Sequence, residues 1–317
     1  MSNTTNIQIN KLFFFILHFA LIGLLGYLFI GLFSSKTSAA SLSLSIYPPI
    51  IQIRLEAPTS VNTPITIENL SAETVALQII FKPFTASEFG EVAYFWNKED
   101  LSRLGKNPLI FQNIKLIENS KQVDETTLGP KQKKTLTLDL SIAKDESLSD
   151  YYFSILFISK NNTNTELAHS QIAGGIATNV LLSIGSEKPR VEILEFSAPF
   201  LPAPGSVPFT ISIQNEGKHF ITAKGTILIK NIFGKTIDKL ELPAINVLAE
   251  RSRLQKYFWQ KSPFFGAYTS TLILNLSENS PPLIKTTSFF IFPIKVIIAM
   301  AIVLAIILVV RKRMDKS

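Results

Sequence analysis

The chain is predicted to be all-β, two sandwich domains set between two apolar end segments. Three observations predict this. Apolar and polar residues alternate repeatedly through the middle of the chain, turn formers separate the alternating runs, and two short sequence frames recur in the same order. Successive side chains of a strand point to opposite faces, so a period of two marks strands with one buried face.

The first apolar segment runs from Leu12 to Phe33, with Lys11 before it. Ser38-Ala39-Ala40 carries small residues at the positions a signal peptidase prefers, yet the apolar run exceeds the roughly 7 to 15 residues of a signal core. It reads as a signal peptide or a retained N-terminal anchor. At the other end, Phe289 to Val310 is long enough for a membrane span, which takes about 20 helical residues. Arg311, Lys312, Arg313 and Lys316 follow it, and basic residues stay on the cytoplasmic side. The expected order is a signal or anchor (1–40), a first β-sandwich (41–186), a second (187–287), a transmembrane helix (288–310) and a basic cytoplasmic tail (311–317). That order implies a plasma-membrane protein, single-pass or two-pass if the first segment is retained, with an extracellular or periplasmic ectodomain.

Charge agrees with this arrangement. The chain carries 31 Lys+Arg against 24 Asp+Glu, a net of +7. Residues in or beside the two apolar segments supply 7 basic and 1 acidic side chains, which leaves 24 and 23 between Ser41 and Ser288. A middle region so close to neutral lacks the clustered positive charge that a nucleic-acid partner requires. Cysteine is absent, which excludes disulfides, thiolate metal sites and a cysteine nucleophile. Stability must then come from cores of adequate size, and the roughly 250 middle residues suffice for two domains.

Within the middle region, Val75, Leu77, Ile79 and Phe81 fall on one strand face, as do Leu136, Leu138 and Leu140. Gly129-Pro130, Asn161-Asn162, Pro204-Gly205 and Asn215-Glu216-Gly217 supply the turns. One short helix is expected over Asn97 to Leu104. Two frames repeat. Val61, Ile65, Ile67 and Asn69 match Val207, Ile211, Ile213 and Asn215, and Tyr152-x-Ser154-x-Leu156 matches Tyr268-x-Ser270-x-Leu272. The second frame is similar to the tyrosine corner of immunoglobulin-like sandwiches, in which the Tyr hydroxyl bonds back to the backbone. Two Ig-like β-sandwiches are therefore expected, with their boundary near Gly185-Ser186-Glu187-Lys188-Pro189.

Candidate recognition groups are few. Tyr94 and Trp96 share a strand face, where they could stack on a partner side chain or a sugar, or simply cover the core. Lys131, Lys133 and Lys134 follow Gly129-Pro130, where they could meet an anionic polymer or form a solvated turn. Glu99-Asp100 has the residue types of glycoside hydrolysis, but adjacent loop residues rarely converge on one substrate. Outside the apolar segments the histidines are His169 and His219. No nucleophile elbow, His-x-x-x-His pair or phosphate loop occurs. No catalytic, cofactor-binding or metal residue is assigned, no cofactor is expected, and no enzyme activity is assigned. Asn69-Leu70-Ser71, Asn161-Asn162-Thr163 and Asn275-Leu276-Ser277 are glycan acceptors only in a cell with that machinery.

The order of these parts, with Tyr47-Pro48-Pro49 ahead of the first strands and a basic tail behind the last apolar segment, resembles the WxL-interacting proteins of bacterial surfaces. It is equally similar to membrane-anchored surface proteins with tandem Ig-like domains. Resemblance to the WxL-interacting family implies peptidoglycan binding by the first domain, and in that family an Asn-Gln pair follows the first proline; here Pro49-Ile50-Ile51-Gln52 stands instead, and no binding residue is carried over. The expected function is a non-enzymatic, membrane-anchored binding or scaffold protein, its C-terminal helix in the membrane and a protein or cell-wall polymer as partner. The alternative is an exported chaperone or assembly factor that offers a strand edge to client proteins.

Overall fold

A computed structural model describes residues 42–95, 108–160, 174–202, 205–260, 265–276, 280–292 and 294–314. The expected helix over Asn97 to Leu104 lies outside them. In chain order the first strands are β1 (Leu44–Tyr47), β2 (Ile50–Leu55), β3 (Thr59–Asn69), β4 (Val75–Ala86) and β5 (Val92–Tyr94). After a 3-10 turn at Pro108–Asn113 come β6 (Ile114–Glu118), β7 (Lys121–Gln122), β8 (Glu125–Leu128), β9 (Lys133–Ile142), β10 (Asp150–Ser159) and β11 (Gly175–Ile184). The remaining strands are β12 (Val191–Ser197), β13 (Val207–Asn215), β14 (Ile221–Asn231), β15 (Thr236–Val247), β16 (Arg251–Trp259), β17 (Gly266–Asn275) and β18 (Leu283–Ile291), and a helix, α1 (Ile294–Met314), follows.

These strands build two sandwiches. In the first, a sheet ordered β1-β3-β9-β6-β7 faces one ordered β2-β11-β10-β4-β5, with β8 also paired to β4. In the second, β12-β13-β16 faces β15-β14-β17-β18. Alternation explains the burial. Val75, Leu77 and Ile79, and likewise Leu136, Leu138 and Leu140, point into the first core. The second core is built around Phe209, Ile211, Ile213, Ile227, Ile229 and Phe289. The chain changes sheets at Pro48-Pro49, because proline lacks the N–H that continues a ladder. Thr178 Oγ1 donates to the Pro48 carbonyl at 2.7 Å, and the Asn179 amide to the Pro49 carbonyl at 3.0 Å.

The first repeated frame has one structural role in both sandwiches. Asn69 and Asn215 end β3 and β13 and are fully buried. Asn69 Nδ2 donates to the carbonyls of Glu73 (2.7 Å), Leu128 (3.2 Å) and Gly129 (2.9 Å), and its Oδ1 accepts from the Ser71 amide at 3.0 Å. Asn215 Nδ2 donates to His219 (2.8 Å), Val247 (3.2 Å) and Leu248 (3.1 Å), and its Oδ1 accepts from the Gly217 amide at 2.9 Å. Each side chain thus closes its own turn and ties it to a second loop that crosses between the sheets. Asn69, enclosed and bonded, is no glycan acceptor in the folded chain.

The second frame is a coincidence of spelling. Tyr268, Ser270 and Leu272 face the second core, whereas in β10 the core face is Tyr151, Phe153, Ile155 and Phe157. Tyr152, Ser154 and Leu156 therefore lie on the opposite face of their sheet, since side chains alternate.

The C-terminal span and the plasma-membrane localisation are corrected. Among the described residues no helix is long and apolar enough to cross a membrane. The apolar segment is divided: Phe289, Phe290 and Ile291 belong to β18, paired with Tyr268, Ala267 and Gly266, and Phe289 is buried in the core. Lys295 then interrupts the sequence, and Val296 to Val310 falls short of the roughly 20 residues a span takes.

Replacing Asn69 or Asn215 by alanine removes the Nδ2 donor from three carbonyls at each site. Each change is expected to cost roughly 1 to 3 kcal/mol, read as a lower urea midpoint for the chain. A midpoint equal to the wild type would show that these carbonyls find other partners.

Candidate functional site

Leu44–Ser317 forms one compact unit, and the outward face of the β2-β11-β10-β4 sheet meets one end of the second sandwich. Asp150 opens β10 on that face and is fully buried. A buried carboxylate needs donors, and the second sandwich supplies most of them. His219 Nδ1 lies 2.8 Å from Asp150 Oδ1, and the Phe220 amide donates to Oδ2. Tyr152 Oη also donates to Oδ2 at 2.7 Å, while accepting the Ala249 amide at 3.0 Å. The expected tyrosine corner within one domain is instead a tie between two. Burial, then the Asp150 carboxylate beside it, pushes the Tyr152 hydroxyl well above the usual tyrosine range.

Other contacts extend the junction. Arg54 Nη2 donates to the Phe220 carbonyl at 3.1 Å, and its guanidinium stands 4.5 Å from the Phe220 ring centre. Gln52 Nε2 donates to Asn246 Oδ1 at 3.2 Å, and Thr222 Oγ1 sits 2.9 Å from Gln52 Oε1. Phe84, Leu181, Phe220 and Leu248 form a small apolar cluster across the boundary. At Gly185, φ is +119°, and a Cβ would stand 3.1 Å from His219 Nε2; glycine alone fits both demands.

Ser183, His219 and Asp150 are the residue types of a hydrolytic triad, but not its geometry. Ser183 Oγ is 2.9 Å from His219 Nδ1, the nitrogen that also faces Asp150. A triad serine stands at Nε2; here that atom is buried with no partner among the described residues. The set joins two domains and activates no nucleophile. Among the described residues no His, Asp and Glu cluster could hold a metal.

Three cavities surround the junction. One, about 240 Å³, lies between Ile50, Phe84 and Leu181 of the first sandwich and Pro243, Arg253 and Tyr257 of the second. A second, about 480 Å³, is lined by Phe95, Phe111, Tyr152, Lys218, Leu248 and Arg251. The third, about 340 Å³, follows the linker past Arg54, Gly185, Pro189 and His219. Strand β16 borders the first cavity and pairs with β13 alone among the described strands.

The residues expected to recognise a partner are dispersed. Tyr94 is half-buried and packs against the junction cluster of Phe84 and Leu181. Trp96 lies outside the described residues. Lys134 turns into its own sandwich, pairing with Glu118 at 2.7 Å and donating to the Thr127 carbonyl at 2.9 Å. Lys131 Nζ donates to the Leu70 carbonyl, and Lys133 is exposed opposite Glu68. The three lysines do not form one free cationic face. Asp150 was legible only as a turn former, and nothing near it in the sequence signals a partner at position 219.

No protein-family model and no curated protein matches the chain. Among solved structures, the class 5 fimbriae chaperone CfaA is 14% identical, with 77% of this chain and 99% of that one covered at a TM-score of 0.36. The E. coli chaperone DraB is 10% identical, covering 78% and 95%, at 0.35. A chain of the Salmonella enterica SafA pilin–SafB chaperone complex is 9% identical, covering 77% and 96%, at 0.34.

Two outcomes follow from the junction. Asp150→Ala leaves donors of both sandwiches without their acceptor, so spin labels on the two sandwiches should report a broadened distance distribution. An unchanged distribution would mean the network does not fix their relation. The second outcome concerns pH. A tyrosine whose folded pKa is raised keeps its proton when the unfolded chain gives it up. Its contribution is complete below about pH 10 and is lost as pH rises further. The urea midpoint should fall above that pH, and Tyr152→Phe should flatten the fall.

Proposed function

We propose that the chain is a non-enzymatic binding protein, an assembly factor or chaperone, that captures an extended segment of a partner protein on the edge of β16. The observation that carries this reading is the state of that edge. The Leu254 amide donates away from the sheet, to the Glu88 carbonyl of the β4–β5 hairpin at 2.8 Å. Backbone groups alternate in direction along an antiparallel strand, so the amides of Lys256 and Phe258 point outward too. Among the described residues no backbone group takes them up.

A free edge is a template for one more strand. Here it borders a groove with apolar walls at Ile50, Phe84, Leu181 and Ile245. An added segment gains main-chain hydrogen bonds from the edge and buries alternate side chains in the groove. The Asp150 network supports the same reading, because a cleft held rigid before binding spares the entropy of ordering it. The exposed Lys256 blunts the edge against self-association.

A fluorescein-labelled nine-residue peptide of alternating valine and threonine tests this. It should bind saturably and slow hydrogen exchange at the Lys256 and Phe258 amides. Lys256→Pro removes one outward N–H from an edge strand, where proline is tolerated, and should weaken binding about tenfold, roughly 1.4 kcal/mol. Equal binding by the variant, with no exchange protection, overturns the reading.

A further inference from the structure

The groove beside β16 contains two arginines, Arg251 and Arg253, and no carboxylate among its lining residues. Arg251 is exposed at the rim. Arg253 is half-buried. Its guanidinium lies against Gly90 of the β4–β5 hairpin, where an added Cβ would stand 1.4 Å from Nη1. The φ of +84° at Gly90 independently favours glycine. The hairpin is thus shaped to receive this side chain.

What it receives meets no carboxylate among the described residues that line the groove. Arg253 Nε is buried and has no hydrogen-bond partner among the described residues. Glu88 and Glu91 flank Gly90 in sequence, yet among the described residues neither forms an ion pair with Arg253. Burial disfavours its cation, with Tyr257 alongside as a small compensation. An unpaired charge drawn out of water is unfavourable. Guanidinium is the one cation whose planar fork can take both oxygens of a carboxylate at once.

We propose that Arg253 anchors a carboxylate side chain, glutamate or aspartate, carried by the extended segment that binds this groove. The inference rests on the edge-binding reading above and names the chemistry that edge selects. Charge complementarity and the apolar walls together favour an acidic residue flanked by apolar ones. A small free anion would leave Phe84 and Leu181 uncovered. Arg251, at the rim, would draw the acidic segment in and raise its association rate at low salt.

The test compares two labelled peptides with the full chain by fluorescence anisotropy. Both alternate valine and threonine, with glutamate or glutamine at the centre. The glutamate peptide should bind about tenfold more tightly, and added salt should narrow the gap. Arg253→Gln should erase the preference, so that the two peptides bind alike. Arg253→Lys should keep part of it, since the charge stays and the fork is lost. Gly90→Ala, which displaces the guanidinium without removing it, should also reduce it; circular dichroism and the urea midpoint confirm that each variant folds. Equal affinity of the wild type for both peptides overturns the carboxylate anchor and leaves edge binding standing. A preference that survives in Arg253→Gln overturns the assignment to this residue. Failure of both peptides to bind overturns edge binding and the anchor together.

Discussion

The arrangement of the two sandwiches depends on Asn215. Its side-chain amide holds the carbonyls of His219, Val247 and Leu248, and its oxygen holds the Gly217 amide. Those bonds fix two loops together, and the same two loops carry the groups that the second sandwich sends to the Asp150–Tyr152 network: His219 and Phe220 toward Asp150, and Ala249 toward Tyr152. The buried asparagine is thus a structural element of its own domain and the support of the contact between domains. Its counterpart Asn69 closes an equivalent turn in the first sandwich, facing away from the junction. One local solution was used twice, and only one copy acquired a second role.

Asp150 makes the junction specific. A buried carboxylate is favourable only while its acceptor positions are filled. The His219 ring, the Phe220 amide and the Tyr152 hydroxyl fill them in one relative placement of the sandwiches. The apolar contact around Phe220 and Leu248 is small and non-directional, so it would tolerate sliding that the carboxylate does not. Tyr152 couples the two kinds of contact, donating to Asp150 while its ring packs 6.2 Å from that of Phe84.

The strands were legible because period-two alternation is a direct consequence of half-burial, and Val75 to Ile79 and Leu136 to Leu140 show it without interruption. The Ile-x-Ile-x-Asn frame was legible for a stronger reason: it pairs an inward face with a residue type that satisfies a turn. Tyr-x-Ser-x-Leu failed because spacing gives parity but not which face is the core; a neighbouring Phe153 or Phe157 could equally claim it. The C-terminal segment failed for a related reason. Hydropathy does not distinguish a buried strand from a helix, and Phe289 belongs to the first kind. The lysine cluster looked like one patch because its residues are adjacent, yet alternation sends Lys133 and Lys134 to opposite faces. The junction itself was not legible, since Asp150 and His219 lie 69 residues apart with no pattern linking them.

Rigid support and an open edge are complementary here. The hairpin that carries Glu88 and Gly90 reaches from the first sandwich to β16, takes up one outward amide and seats the Arg253 guanidinium. It stops the edge from fraying at that end without covering the amides farther along. A strand edge free along its whole length would invite a second copy of the same chain. On the proposed function, one capped at its start by the neighbouring domain, flanked by a cation and facing apolar walls would offer pairing only to a segment that enters from the open end and matches the groove. On the edge-binding proposal, selectivity would come from the space between the sandwiches, which the contacts of Asp150 and Asn215 help to hold.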